Sequence, residues 1–138
     1  MTGFSIFNQS GVIPFQFVDG ELRVLMITSS SGRRWVFPKG IIEDGLSPEE
    51  SAAAEALEEG GVEGQVLGHS LGSYERKKWD GTVSVEMFPM HVTRIFDHWT
   101  EDDFRQRIWL SEAEAAARIS DPALRDILAG LARLDLQP

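Results

Sequence analysis

The sequence contains no cysteine, which excludes a disulfide framework and any thiolate-ligated metal centre. It has no apolar run approaching the roughly 18 residues that a membrane-spanning helix needs. The start, Met1-Thr2-Gly3-Phe4-Ser5, lacks a basic segment followed by an apolar stretch. No signal peptide is therefore expected, and a cytoplasmic location is the default expectation. Positive charge is scarce: 13 Lys and Arg stand against 22 Asp and Glu, a formal net charge of −9. That balance argues against nucleic-acid and anionic-membrane partners. It would also repel a polyphosphate, unless metal ions and a local basic patch reverse the sign at one place. No internal repeat, low-complexity tract or linker interrupts the 138 residues, of which 42% are hydrophobic. One soluble globular domain over 1–138 is expected.

Val12 to Val18 and Leu22 to Thr28 read as strands joined at Asp19-Gly20, a strand–turn–strand signal. Ser29 to Gly32 reads as a loop, and Trp35-Val36-Phe37 as a short extended piece before Pro38. A hairpin is expected from a strand around Tyr74 and another from Val83 to Val92, with its turn near Trp79-Asp80-Gly81. Pro89 within the second strand predicts an edge or a bulge there. Three helices carry start signals. Ser47-Pro48-Glu49-Glu50 is a capping box with proline at the first helical position, and this helix should end at Gly60-Gly61. Ser111 and Glu114 form a second capping box before a short helix through Ala113–Ala117. Asp121-Pro122 opens the last helix, whose Leu124, Ile127, Leu128, Leu131 and Leu134 form a core-facing stripe. Strands mixed with helices in this order predict an α+β fold, a mixed β-sheet covered by helices.

The segment Glu55-Ala56-Leu57-Glu58-Glu59 carries the most chemistry. Residues three and four apart share a helix face, so Glu55 meets both Glu58 and Glu59. Like charges so placed cost roughly 0.2–0.5 kcal/mol per pair. They also fall in the last turn, where the helix dipole disfavours anions. No Lys or Arg occurs from Ile41 to Gly72. A divalent cation would remove this penalty, and oxygen-only ligands suit Mg²⁺ or Mn²⁺. A solvated acidic face is the alternative reading of the same pattern.

The flanking residues extend the pattern. The segment resembles the signature of the Nudix hydrolases: Gly, five residues, Glu, seven residues, then Arg-Glu-apolar-any-Glu-Glu-any-Gly-apolar. Gly40 opens it, and Glu55, Glu58, Glu59, Gly61 and Val62 fall in register. Trp35 to Gly40 is similar to the family's lead-in strand and loop. The resemblance implies an α/β/α sandwich with a mixed sheet, and hydrolysis of a phosphoanhydride bond with a divalent metal. Glu55 and Glu59 are then metal ligands. Glu58 becomes the base that activates water with partial metal contact, and Glu55 shares in the catalytic centre. Two positions depart from the signature: Leu46 stands for its first Glu and Ala54 for its Arg. Both substitutions bear on the rate of chemistry. They leave open a second function class, a Nudix-fold module that binds a phosphorylated ligand with little turnover. Glu43, in the same loop as Leu46, is a candidate substitute carboxylate.

The basic residues are grouped: Arg33-Arg34, Lys39 beside Gly40, Arg76-Lys77-Lys78, and Arg105 with Arg107. Several must converge to hold phosphates, and Arg34 and Arg76 are the favoured contacts. Lys77 and Lys78 read equally as hairpin-tip residues that protect an edge. Tyr74 to Lys78, His98 to Glu101 and Arg105 to Leu110 follow the layout of the diphosphoinositol and diadenosine polyphosphate phosphohydrolases. That resemblance implies a small-molecule polyphosphate substrate, with Arg76 and Arg107 as phosphate contacts and Lys39, beside Gly40, as another. His69, His91 and His98 form no spaced cluster and read as ordinary histidines. Trp109 reads as a core residue, whereas Trp99 is open between packing and stacking on a ligand.

Overall fold

The structure, a computed structural model, describes residues 5–78 and 81–136. The expected turn at Trp79-Asp80 and the first four residues lie outside that range. Strand β1 (Ser5–Val18) turns at Asp19-Gly20 into β2 (Glu21–Thr28). Asp19 and Gly20 have φ of 52° and 80°, the paired positive values of the hairpin turn that Asp-Gly favours. Val18 accordingly faces Glu21 across the ladder. Short strands β3 (Trp35–Val36) and β4 (Lys39–Ile41) follow, then helix α1 (Pro48–Gly60). After α1 come β5 (Val62–Val66), β6 (Gly72–Lys78), β7 (Gly81–Ile95) and β8 (Arg107–Ser111). Helices α2 (Glu112–Ala117) and α3 (Pro122–Ala132) close the chain.

The strands form one mixed sheet in which β1 lies between β2 and β7. β1 and β7 run parallel over the register Ser5↔Gly81 to Phe15↔His91, and the other described pairings are antiparallel. Helix α1 covers one face, over Val12, Leu25, Val62, Phe88 and Met90. Helices α2 and α3 cover the other, over Ile13, Phe15, Val24, Met26, Val83 and Val85. Neighbouring residues on one strand thus feed opposite cores. Burial on both faces explains why 24–27 reads as an unbroken apolar run and not as an alternation. The expected α+β fold, a sheet between helices, is the one observed.

Pro89 is a correction. It lies on a central strand, opposite Ile13 of β1, not at an edge or bulge. Its carbonyl accepts from Leu67 N–H at 2.9 Å, and a strand residue's nitrogen faces the same side as its carbonyl. The missing donor therefore falls where β7 changes partner, between β6, whose ladder ends opposite Met87, and β5, whose ladder begins opposite Met90. The last helix also stops earlier than its stripe: Leu134 lies beyond Ala132 in a turn, yet still packs on the core.

Both capping boxes form as expected, on Ser47 with Glu50 and on Ser111 with Glu114. Ser10 Oγ donates to the Pro48 carbonyl at 2.7 Å and so ties the start of α1 to β1. β4 pairs with β1 through Gly11↔Lys39 and Ser10↔Gly40. These two attachments bring β4 against the last turns of α1.

Candidate active site

Glu59 is 9% exposed, and its Oε1 accepts the Lys39 backbone N–H at 3.2 Å. Its Oε2 lies 3.9 Å from Arg105 Nη2. One turn back, the half-buried Glu55 shares a side-chain hydrogen bond with Glu59. Burial first, and that hydrogen bond second, push the Glu59 carboxyl from its ordinary 4.5 up to about 8. Burial also raises Glu55, aided by the charges of Glu58, Glu101 and Glu43. Without a cation the two carboxyls therefore share a proton across their contact. Gly40 closes over Glu55: a Cβ built there would lie 2.3 Å from the Glu55 carboxyl. Strand β4 can approach this closely because it has no side chain at that position.

The pair fits a hard divalent cation by its donor set. Mg²⁺ is commonly held by one or two carboxylates while water and phosphate oxygens complete its shell. Glu58 is placed differently. Its side chain is exposed, and its carbonyl accepts the Glu101 N–H at 3.1 Å. Among the described residues no group of three or more carboxylate or imidazole side chains converges as a cage. The structure thus brings Glu55 and Glu59 together and leaves Glu58 at the rim. Leu46 and Ala54 are both exposed. Glu43 N–H donates to the buried Ser51 Oγ at 2.9 Å, which keeps the Glu43 loop beside α1.

The end of α1 is held by residues far away in sequence. Gly61, at φ 66°, is the left-handed cap, and its N–H donates to the Leu57 carbonyl at 3.1 Å. Trp99 Nε1 donates to the Glu59 carbonyl at 2.9 Å. Arg107 donates to the carbonyls of Gly60 (2.9 Å), Gly61 (3.3 Å) and Phe96. Its guanidinium also stacks 4.1 Å above the Trp99 ring. Arg107 therefore supplies the positive charge that the last turn of α1 lacks. Arg107, expected as a phosphate contact, is thus placed by these bonds on main-chain carbonyls at the end of α1. Trp99 is likewise a packing residue, and Trp109 joins the core under α1.

Arg34, Lys39 and Arg76 converge as expected, on a cleft between β3, β4 and β6. They line both a recess of about 130 Å³ beside Glu59 and an adjoining cavity of about 320 Å³. The recess adds Arg105, Ser29 and Ser30. The larger cavity adds Trp35, Tyr74, Lys77, Arg118 and the turn Ile119 to Asp121. Arg105 was legible only as a member of a basic group, and Arg118 carries no sequence signal, because its position depends on how α2 and α3 fold back. The histidines stand apart: His91 stacks on Phe15 at 5.1 Å, and His98 pairs with Asp102 at 3.4 Å.

Comparison with known proteins places this arrangement in context. The family profile described as NUDIX domain matches residues 8–131. Nudix hydrolase 17, mitochondrial, of Arabidopsis thaliana is 39% identical over 127 residues, covering 86% of this chain and 69% of its own. Diphosphoinositol polyphosphate phosphohydrolase 2 of Rattus norvegicus is 34% identical over 99 residues, covering 69% of this chain and 53% of its own. A solved structure of a C. elegans Ap4A hydrolase binary complex aligns with a TM-score of 0.78 at 16% identity. It covers 91% of this chain and 95% of that one, a likeness of fold.

Proposed function

This chain belongs to the Nudix hydrolase family and is a hydrolase of pyrophosphate bonds; we propose that it acts with Mg²⁺ or Mn²⁺ on a small polyphosphorylated molecule. The observation that carries this reading is the Glu55–Glu59 carboxyl pair, with Gly40 closed over Glu55, at the mouth of a cleft lined with Arg34, Lys39, Arg76 and Arg105. A bound divalent cation there supplies charge neutralisation and a more acidic water. The rest belongs to the chain. Arg34 and Arg76 hold phosphate oxygens by charge-assisted hydrogen bonds. Water attacks phosphorus, the anhydride P–O bond breaks, and the leaving phosphate departs with its electron pair. Glu58, exposed at the rim, accepts the proton of the attacking water.

For substrate class we propose a dinucleoside polyphosphate or an inositol pyrophosphate. The support is the concentration of basic side chains on one cleft of a chain whose net charge is −9, together with the names of the rat and C. elegans relatives. A ligand-binding module with little turnover is the second reading, favoured by Leu46 and Ala54 at two signature positions. One experiment separates them: a phosphate-release screen with Mg²⁺ or Mn²⁺ over dinucleoside polyphosphates, nucleoside diphosphate sugars and inositol pyrophosphates. Turnover abolished by a chelator and by Glu59→Gln supports the enzyme. Tight binding of these compounds with no product supports the module and overturns the enzyme.

A further inference from the structure

The side chain of Arg105 is 11% exposed and is divided between two carboxylates. Its Nε donates to Glu101 Oε1 at 2.6 Å. Nη1 donates to the Thr28 carbonyl at 2.8 Å, and Nη2 stands at the longer distance of 3.9 Å from Glu59 Oε2. The same guanidinium lines the recess beside Glu59. The family signature would place an arginine at position 54, on α1 itself. Here that residue is Ala54, and no Lys or Arg occurs from Ile41 to Gly72. A positive charge beside Glu59 comes instead from the loop before β8. A divalent cation reaching Glu55 and Glu59 therefore arrives beside a fixed, largely buried positive charge.

We propose that Arg105 is a built-in competitor of the divalent cation: beside Glu59 it serves as counter-charge to the single negative charge of the Glu55–Glu59 pair in the metal-free protein, and it gives up that contact, keeping Glu101, when the cation binds. This rests on the reading of Glu55 and Glu59 as a metal site. Two features favour exchange over a purely structural tie. The contact to Glu59 is the loose one and the contact to Glu101 the tight one, so the guanidinium has a resting place already made. Glu59 also keeps the Lys39 N–H at 3.2 Å, so its orientation does not depend on Arg105. Repulsion between the guanidinium and a nearby divalent ion, at low effective dielectric, then dominates. Removing the charge tightens metal binding, whereas removing a loop tie would loosen it. Arg105 is in this sense a positioning residue that sets how readily the site fills.

The test is calorimetric titration of the purified, substrate-free chain with Mn²⁺. Arg105→Gln is expected to bind about tenfold more tightly than the parent. Arg105→Lys, which keeps the charge, should bind less tightly than Arg105→Gln. Equal or weaker binding by Arg105→Gln overturns the proposal. Should that variant fail to fold, Glu101→Gln reads the exchange from the other side. It leaves Arg105 with Glu59, so Mn²⁺ should bind about tenfold more weakly, and unchanged or tighter binding overturns the proposal. A parent that binds no Mn²⁺, or binding indifferent to Glu59→Gln, has a different meaning. It removes the metal site itself, and this inference with it.

Discussion

At Gly40 the missing side chain is what the site is built around. A Cβ there would lie 2.3 Å from the Glu55 carboxyl, so Gly40→Ala must displace that carboxyl from its place beside Glu59. Mn²⁺ affinity should fall more than tenfold, on the order of the loss seen when a metal site's supporting groups are disturbed. The fold should survive, which far-ultraviolet circular dichroism checks. Glu58 and Arg76 should fail differently from one another. Glu58→Gln removes a proton acceptor needed at the transition state, so kcat drops about 100-fold or more with KM little changed. Arg76→Ala removes a phosphate contact and raises KM. Equal losses of kcat in both would refute this division. Arg107→Ala should leave KM alone, since its guanidinium serves the carbonyls of Gly60, Gly61 and Phe96. It should instead cost about 1–3 kcal/mol of stability through buried acceptors left unpaired, measured by urea unfolding.

At the scale of elements, what is local in sequence is legible and what is assembled from a distance is not. Ser47-Pro48-Glu49-Glu50 announces α1 and Gly60-Gly61 ends it, because caps and left-handed turns are made by neighbours in the chain. The carboxylate spacing on that helix is readable for the same reason. β8 goes unread although Arg107–Ser111 forms a regular ladder with β2, since five residues show their pattern only once Leu25 and its neighbours lie opposite. β5, with Gly64 in its middle and a register shift at Glu63/Gly64, hides even better. The anchoring of Arg107 at the end of α1 is not readable in the sequence, because its partners are far off in the chain and a basic residue near a Trp looks the same whether it meets phosphate or carbonyl. Leu46 and Ala54 are legible as departures, and both are exposed. Ala54 lies four residues before Glu58, within reach of an i,i+4 pair. Restoring Leu46→Glu and Ala54→Arg together should raise kcat, with each single change helping less or harming. A double-mutant cycle in which the two effects simply add would refute the coupling.

For the whole molecule, the proton shared by Glu55 and Glu59 links stability to pH and to metal. Glu59 binds its proton more tightly when folded, with a pKa of about 8 against an ordinary 4.5. Its contribution is therefore greatest below the unfolded value and is lost as pH rises toward about 8. A cation that takes the place of that proton reverses the loss. The Tm gain on adding millimolar Mg²⁺ should be larger at about pH 8 than at about pH 6, and binding near neutrality should release protons into the buffer. A Tm gain that shrinks with rising pH would contradict this. The parallel pairing of β1 with β7 reaches further still. Ser5 meets Gly81 and Phe15 meets His91, so the opening strand waits for a partner some 76 positions downstream. During synthesis Phe15 and Ile13 leave the ribosome long before that partner exists. Closure of such a distant contact is slow, and an unpaired apolar edge invites other chains in the interval. The order in which this chain emerges makes its first strand the exposed one, and sheltering it until residue 91 is made is a problem for the cell rather than for the folded enzyme.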